Sequence, residues 1–183
     1  MKVVCFGDSN TYGFDPRGYF GGLYDNPWPS LLAKKTGWTV INEGQNGRQI
    51  PEGRFHSDAD LTIVMLGTND LLQGQTPQQT AARMERFLLQ MTKPVLLIAP
   101  PPMIRGSWVP NDELVQRSAA LAAYYEETAE KTGALFADSG LWKIPLVFDG
   151  VHFSEEGHER FAEALDKYLK KETDYAGSWK EST

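Results

Sequence analysis

Five short apolar runs, interleaved with segments of helical periodicity, restrict the chain to few architectures. "KVVCF" (2–6), "TVIN" (39–42), "LTIVML" (61–66), "PVLLIAP" (94–100) and "ALFAD" (134–138) read as strands. "WPSLLAKKTG" (28–37) reads as a helix closed by Gly37. In 77–91, Ala81, Met84, Phe87, Leu88 and Met91 fall on one helical face behind Pro77. Residues 111–132 turn Leu114, Val115, Ser118, Leu121, Ala122, Tyr125 and Ala129 inward and stop at Gly133, and a last helix from Ser154 carries Phe161, Leu165, Tyr168 and Leu169. Strands that are apolar on both faces need helices on both sides. The pattern therefore predicts an α/β protein of three layers, α/β/α, around a doubly wound, five-stranded parallel sheet in flavodoxin-like order. A single domain is expected over 1–171, with a polar tail over 172–183 in which Trp179 could act as an anchor.

Charge and cysteine usage narrow the function classes. At 183 residues and 41% hydrophobic, the chain can bury one full core. A net charge of −6 leaves no basic footprint for nucleic acid, and no cationic run suits an anionic membrane. The single Cys5 lies in the first apolar run and reads as a buried thiol. Three histidines and one cysteine at no ligand spacing predict no metal site, and no cofactor is expected. No apolar run reaches membrane-spanning length, and Met1-Lys2 leads directly into the first strand. The expectation is a cytoplasmic domain acting on a small molecule, without membrane or nucleic-acid partner; a homo-oligomer is left open.

Three stretches stand outside the scaffold: 12–27, 42–55 and 100–112. Each follows the carboxyl end of a predicted strand, the edge where open α/β sheets hold ligands. The first strand ends on Gly7-Asp8-Ser9. That turn could cradle a phosphate, cap a helix or present a nucleophile. It matches neither G-x-G-x-x-G nor the P-loop pattern, and a carboxylate repels phosphate. Gly-Asp-Ser arises by chance in roughly one chain in twenty of this length, so a capping role stays open unless partners exist. A serine needs a base, and the base needs an acid to fix its tautomer. "FDGVHF" supplies Asp149 and His152 before the last helix, in the workable chain order Ser, Asp, His. Asn69 of "MLGTNDL", the Gly47 N–H and the Ser9 N–H are candidate oxyanion donors. His56 and His158 read as surface residues.

These blocks resemble those of the SGNH hydrolase superfamily, the GDSL-type esterases: Gly7-Asp8-Ser9, Gly47, Gly67-Thr68-Asn69-Asp70 and Asp149-Gly150-Val151-His152. "CFGDSNTYGF", "EGQNGR", "MLGTNDL", "APPP" and "DGVHF" look most like the bacterial arylesterase/acyltransferase branch. The resemblance implies Ser9 as nucleophile, His152 and Asp149 as base and orienting acid, and Asn69 and Gly47 as oxyanion donors. The familiar block reads Gly-Asp-Ser-Leu; here Asn10 replaces the Leu, at a position the resemblance puts near the pocket.

The expected reaction is hydrolysis of short-acyl carboxylic esters through an acyl-enzyme, with activity rising with pH as His152 loses its proton. Acyl transfer, carbohydrate O-acetyl or lysophospholipid hydrolysis, and a non-enzymatic binding module are the alternatives. Phe14, Tyr19, Trp28, Met103 and Trp108 are expected to form an apolar mouth, with Phe148 and Val151 closing a small acyl pocket. Of the loop arginines Arg17, Arg48, Arg54 and Arg105, Arg48 is the best placed to meet an anionic or polyhydroxylated leaving group.

Overall fold

The computed structural model describes residues 1–18, 20–92 and 94–175. In chain order the elements are β1 (Lys2–Gly7), α1 (Ser9–Tyr12), β2 (Phe14–Asp15), β3 (Gly22–Leu23), α2 (Trp28–Thr36), β4 (Thr39–Gly44) and β5 (Leu61–Met65). There follow α3 (Thr68–Leu72), α4 (Pro77–Leu88), β6 (Val95–Ala99), α5 (Asp112–Thr132), β7 (Leu135–Asp138), a 3-10 turn (Ser139–Trp142) and α6 (Glu155–Tyr175). The main sheet has five strands in the order β4-β1-β5-β6-β7, with every pair parallel. This is the flavodoxin-like order expected from the sequence, and β2 and β3 form a separate two-stranded ribbon.

The alternation of side chains along each strand divides the core between two helical layers. Ile63 and Met65 of β5 and Leu96 and Ile98 of β6 point to one face, where they meet Trp28 and Leu32 of α2 and Phe161 and Leu165 of α6. Val64, Leu97 and Ala99 point to the other, against Met84 and Phe87 of α4 and Leu121 and Tyr125 of α5. Full burial of each such large side chain is worth roughly 1.5–3 kcal/mol. Both layers need apolar residues from the same strand, so the strands read as continuous apolar runs. Cys5 is fully buried, and burial pushes its thiol well above the ordinary range.

Helix ends follow their capping residues. The Asn111 side chain accepts from Leu114 N at 2.9 Å, and Thr76 and Gln79 form a reciprocal capping box before Pro77. Gly37 and Gly133 close α2 and α5 in the left-handed region. The last helix runs to Tyr175, into the stretch expected to be tail. Residues 176–183, with Trp179, lie outside the described residues, as does Tyr19. Among the described residues, no helix is long and apolar enough to cross a membrane.

Candidate active site

Winding reverses at β1, whose two neighbours are β4 and β5, so the carboxyl ends of these strands open a crevice. Gly7 ends β1 and pairs with Gly44 and Met65. Asp8 then caps α1: its Oδ1 accepts from Asn10 N at 3.0 Å. Ser9 is thereby placed at the start of a four-residue helix that Gly13 terminates.

The segment 149–153 arrives from the far end of the chain. Asp149 Oδ1 accepts from Val151 N at 2.9 Å and from His152 N at 3.0 Å, folding the segment around its own carboxylate. The opposite oxygen, Oδ2, lies 2.6 Å from His152 Nδ1, and His152 Nε2 lies 2.9 Å from Ser9 Oγ. Burial would raise the Asp149 carboxyl, but the His152 ring N–H and the two amides outweigh it and hold the carboxyl below its ordinary range. An ionised acceptor at Nδ1 keeps the proton there and leaves Nε2 free to take one from Ser9. Gly150, at φ +82°, makes the tight turn between acid and base, and a Cβ there would overlap Ile104 O. The ring of His152 sits between Phe14 and Trp108, with centroids 5.0 and 5.2 Å away.

Asn69 stands on the first turn of α3, just beyond β5. Its Nδ2 donates to Arg48 O at 3.1 Å and lies 3.5 Å from Asp8 Oδ2. Gly47 occupies the loop after β4 at φ +72°, with no protein atom near the place of a Cβ. The backbone angle, and not crowding by the protein, is what calls for glycine here. The loop is tied down at both ends. Gln45 N donates to Gly7 O at 3.1 Å, Ile50 N donates to Asp70 Oδ2 at 3.1 Å, and Arg83 donates to Ile50 O at 2.7 Å while pairing with Asp70 at 2.9 Å. Asp8, buried beside this loop, is pushed up to about 6, chiefly by loss of solvent.

Ser9, His152, Asp149, Asn69 and the Gly47 loop thus converge on one edge. Several expected substrate contacts do not. Trp28 is 0% exposed, because it opens α2 and packs against Phe161 at 4.8 Å in the core. Met103 and Val151 are core residues too, packed on the α4–α5 side of the sheet. Asn10 is 4% exposed and is spent on backbone hydrogen bonds. Arg48 turns inward: its guanidinium lies 4.2 Å from the Phe6 ring centre and donates to Gly7 O, Glu43 O and Gln45 Oε1. His158 is buried and accepts from Trp28 N at 3.2 Å, contrary to the surface position expected. Arg17 is engaged by Asp15 and Arg105 approaches Asp112, while Arg54 is exposed.

Trp108 and Phe148 remain at the surface, 51% and 64% exposed. Their loops are joined, since Trp108 N donates to Asp149 O at 3.1 Å and Ser107 N to Phe148 O at 3.3 Å. Sequence reasoning missed Arg83. Its signal was a charge in register with Thr80, Met84 and Phe87 on the buried stripe of α4, where an unpaired cation is not tolerated.

Residues 5–160 match the model of the GDSL-like Lipase/Acylhydrolase family. Among solved structures, a carbohydrate acetylesterase family member from Sinorhizobium meliloti is 26% identical, with a TM-score of 0.77 over 93% of this chain and 97% of that one. The aryl esterase of M. smegmatis is 25% identical, with a TM-score of 0.77 over 93% of this chain and 98% of that one. A comparison with curated proteins gives no match.

Proposed function

Because the chain belongs to the GDSL-like lipase/acylhydrolase family and is a carboxylic ester hydrolase, we propose that it acts through Ser9, His152 and Asp149 on short-acyl esters. The observation that carries this reading is the unbroken chain from Ser9 Oγ to His152 Nε2 at 2.9 Å and from His152 Nδ1 to Asp149 Oδ2 at 2.6 Å. His152 takes the Ser9 proton as Oγ attacks the ester carbonyl. Asp149 stabilises the imidazolium that forms, and that imidazolium protonates the departing alcohol. The tetrahedral oxyanion is held by the Ser9 and Gly47 amides and by Asn69, whose side chain Arg48 O already orients. Water, activated by His152, then releases the acyl group from Ser9.

Small acyl groups suit a nucleophile that is only 7% exposed between two closely packed loops. The alcohol half is proposed to be aryl or carbohydrate, in keeping with the named activities of the similar structures. Acyl transfer to an alcohol is the second reading. It is favoured by the exposed Trp108 edge beside His152, a surface on which an apolar acceptor could displace water.

The experiment is p-nitrophenyl acetate turnover by wild type and Ser9→Ala, followed by a panel of aryl acetates, acetylated sugars and longer acyl chains. We expect a loss of about 10⁴-fold or more in kcat for Ser9→Ala and a preference for acetyl to butyryl esters. Full activity without the Ser9 hydroxyl removes the triad, and a preference for dodecanoyl esters removes the small acyl pocket. Product analysis in water with added alcohol separates hydrolysis from transfer.

A further inference from the structure

The residue after the proposed nucleophile makes an unusual pair of contacts. Asn10 Nδ2 donates to Val151 O at 3.1 Å, and Asn10 Oδ1 accepts from Phe153 N at 2.8 Å. These two backbone groups flank His152. A primary amide has a donor and an acceptor side by side, so it can pair with a peptide segment as a neighbouring strand would. The backbone of His152 itself is held from elsewhere: its N–H donates to Asp149 Oδ1, and its carbonyl accepts from Val147 N at 2.8 Å. Among the described residues, the Asn10 pair and the Ser9–His152 contact are the hydrogen bonds that join α1 to the segment 149–153. The far end of the bridge is also fixed, because Asn10 N donates to the Asp8 cap.

We infer that Asn10 is a positioning residue, setting the Ser9–His152 separation by locking both flanks of the base to the turn that carries the nucleophile. The inference rests on the Ser9–His152–Asp149 reading. Asn10 does not reach the crevice, so it acts through His152 and not on the ester. A leucine, the residue of the familiar block, fills the space but leaves a buried N–H and a buried C=O without partners. An aspartic acid at this position behaves differently according to pH. Protonated, its O–H donates to Val151 O while its carbonyl accepts from Phe153 N. Ionised, it keeps the second bond and sets a negative oxygen against Val151 O.

The test compares wild type, Asn10→Ala, Asn10→Asp and Ser9→Ala on p-nitrophenyl acetate across pH, with active sites counted by fluorophosphonate labelling. Asn10→Ala should lower kcat per labelled site by about 10- to 100-fold at nearly unchanged KM, the scale of a small misplacement of reacting groups. Asn10→Asp should approach wild type in acid, with its kcat ratio to wild type falling as pH rises. Unchanged kcat per labelled site with only a lower Tm would make Asn10 a structural residue and overturn the inference. A shifted KM or acyl-chain preference at wild-type kcat would make it a substrate contact and overturn it equally. If Asn10→Ala does not fold, the nearly isosteric Asn10→Asp decides alone, and a flat kcat ratio across pH counts against the inference. Activity surviving in Ser9→Ala strikes at the triad reading itself, whatever the Asn10 variants do.

Discussion

Arg48 shows how a side chain's reach decides between two roles. Its position after Gly47 suggests a contact to the leaving group, yet the guanidinium is occupied by Gly7 O at 3.1 Å, Gln45 Oε1 at 3.0 Å and Glu43 O. The Phe6 ring lies beneath it, and its own carbonyl orients Asn69. A planar fork can serve these acceptors together; a lysine ammonium on a flexible stem cannot copy that geometry. Arg48→Ala should therefore lower kcat by one common factor on aryl acetates and acetylated sugars alike. We expect about 10- to 100-fold, below the 10²- to 10³-fold typical of deleting an oxyanion donor outright. Arg48→Lys should recover little of it. Parallel kinetics on both ester classes decides the matter, and a loss confined to sugar or anionic esters would return Arg48 to the leaving group.

The loop 45–50 is the element on which the proposed oxyanion site depends, and it is held by groups that never face the crevice. Asp70 is fully buried, accepts from Ile50 N and pairs with Arg83, which donates to Ile50 O. Removing one member of such a pair leaves a buried charge uncompensated and typically costs about 3–5 kcal/mol. Arg83→Met should lose stability on that scale by urea unfolding and should also lower kcat, because Ile50 loses an anchor. Stability lost with kcat per folded molecule intact would separate the clamp from catalysis. The strands of the main sheet were legible because burial on both faces leaves an apolar run that few other structures explain. The short elements α1, α3 and the β2–β3 ribbon were not, since four or five residues hold barely one helical turn and two-residue strands show no period. The convergence of Ser9, His152 and Asp149 could be anticipated because each follows a readable strand or precedes a readable helix. Trp28, Met103 and Val151 were misplaced for a different reason. An apolar residue in a loop looks the same in sequence whether it faces solvent or the core, and for Trp28 the answer lies in Phe161, in a distant helix.

At the scale of the whole molecule, two buried groups bind protons in opposite senses, and stability against pH should record both. Burial pushes Asp8 up to about 6, so the folded chain holds this proton more tightly than the unfolded chain, whose carboxyl titrates near the ordinary value of about 3.9. Where the folded state binds more protons, stability falls as pH rises, so Asp8 lowers stability across roughly pH 4 to 6. His158 works the other way. Burial pushes it down to about 4, against about 6.5 when unfolded, so between these values the unfolded chain binds more protons. Its contribution is present above about pH 6.5 and is lost as pH falls towards 4. Each effect is on the order of 3 kcal/mol from the width of its window, and over most of the shared range the two oppose one another. Removing either should expose the other. His158→Asn keeps an acceptor for Trp28 N and should give a protein that, relative to wild type, loses stability steadily from pH 4 to 6.5. Asp8→Asn keeps the cap on Asn10 N and should gain stability relative to wild type from pH 4 to 6. Urea unfolding of the three proteins at half-unit steps of pH measures both differences, and the remaining titrating groups largely cancel in each. Two flat difference curves would mean that neither group carries the linkage, and two slopes of the same sign would mean that one of the buried groups keeps its ordinary proton affinity in the fold.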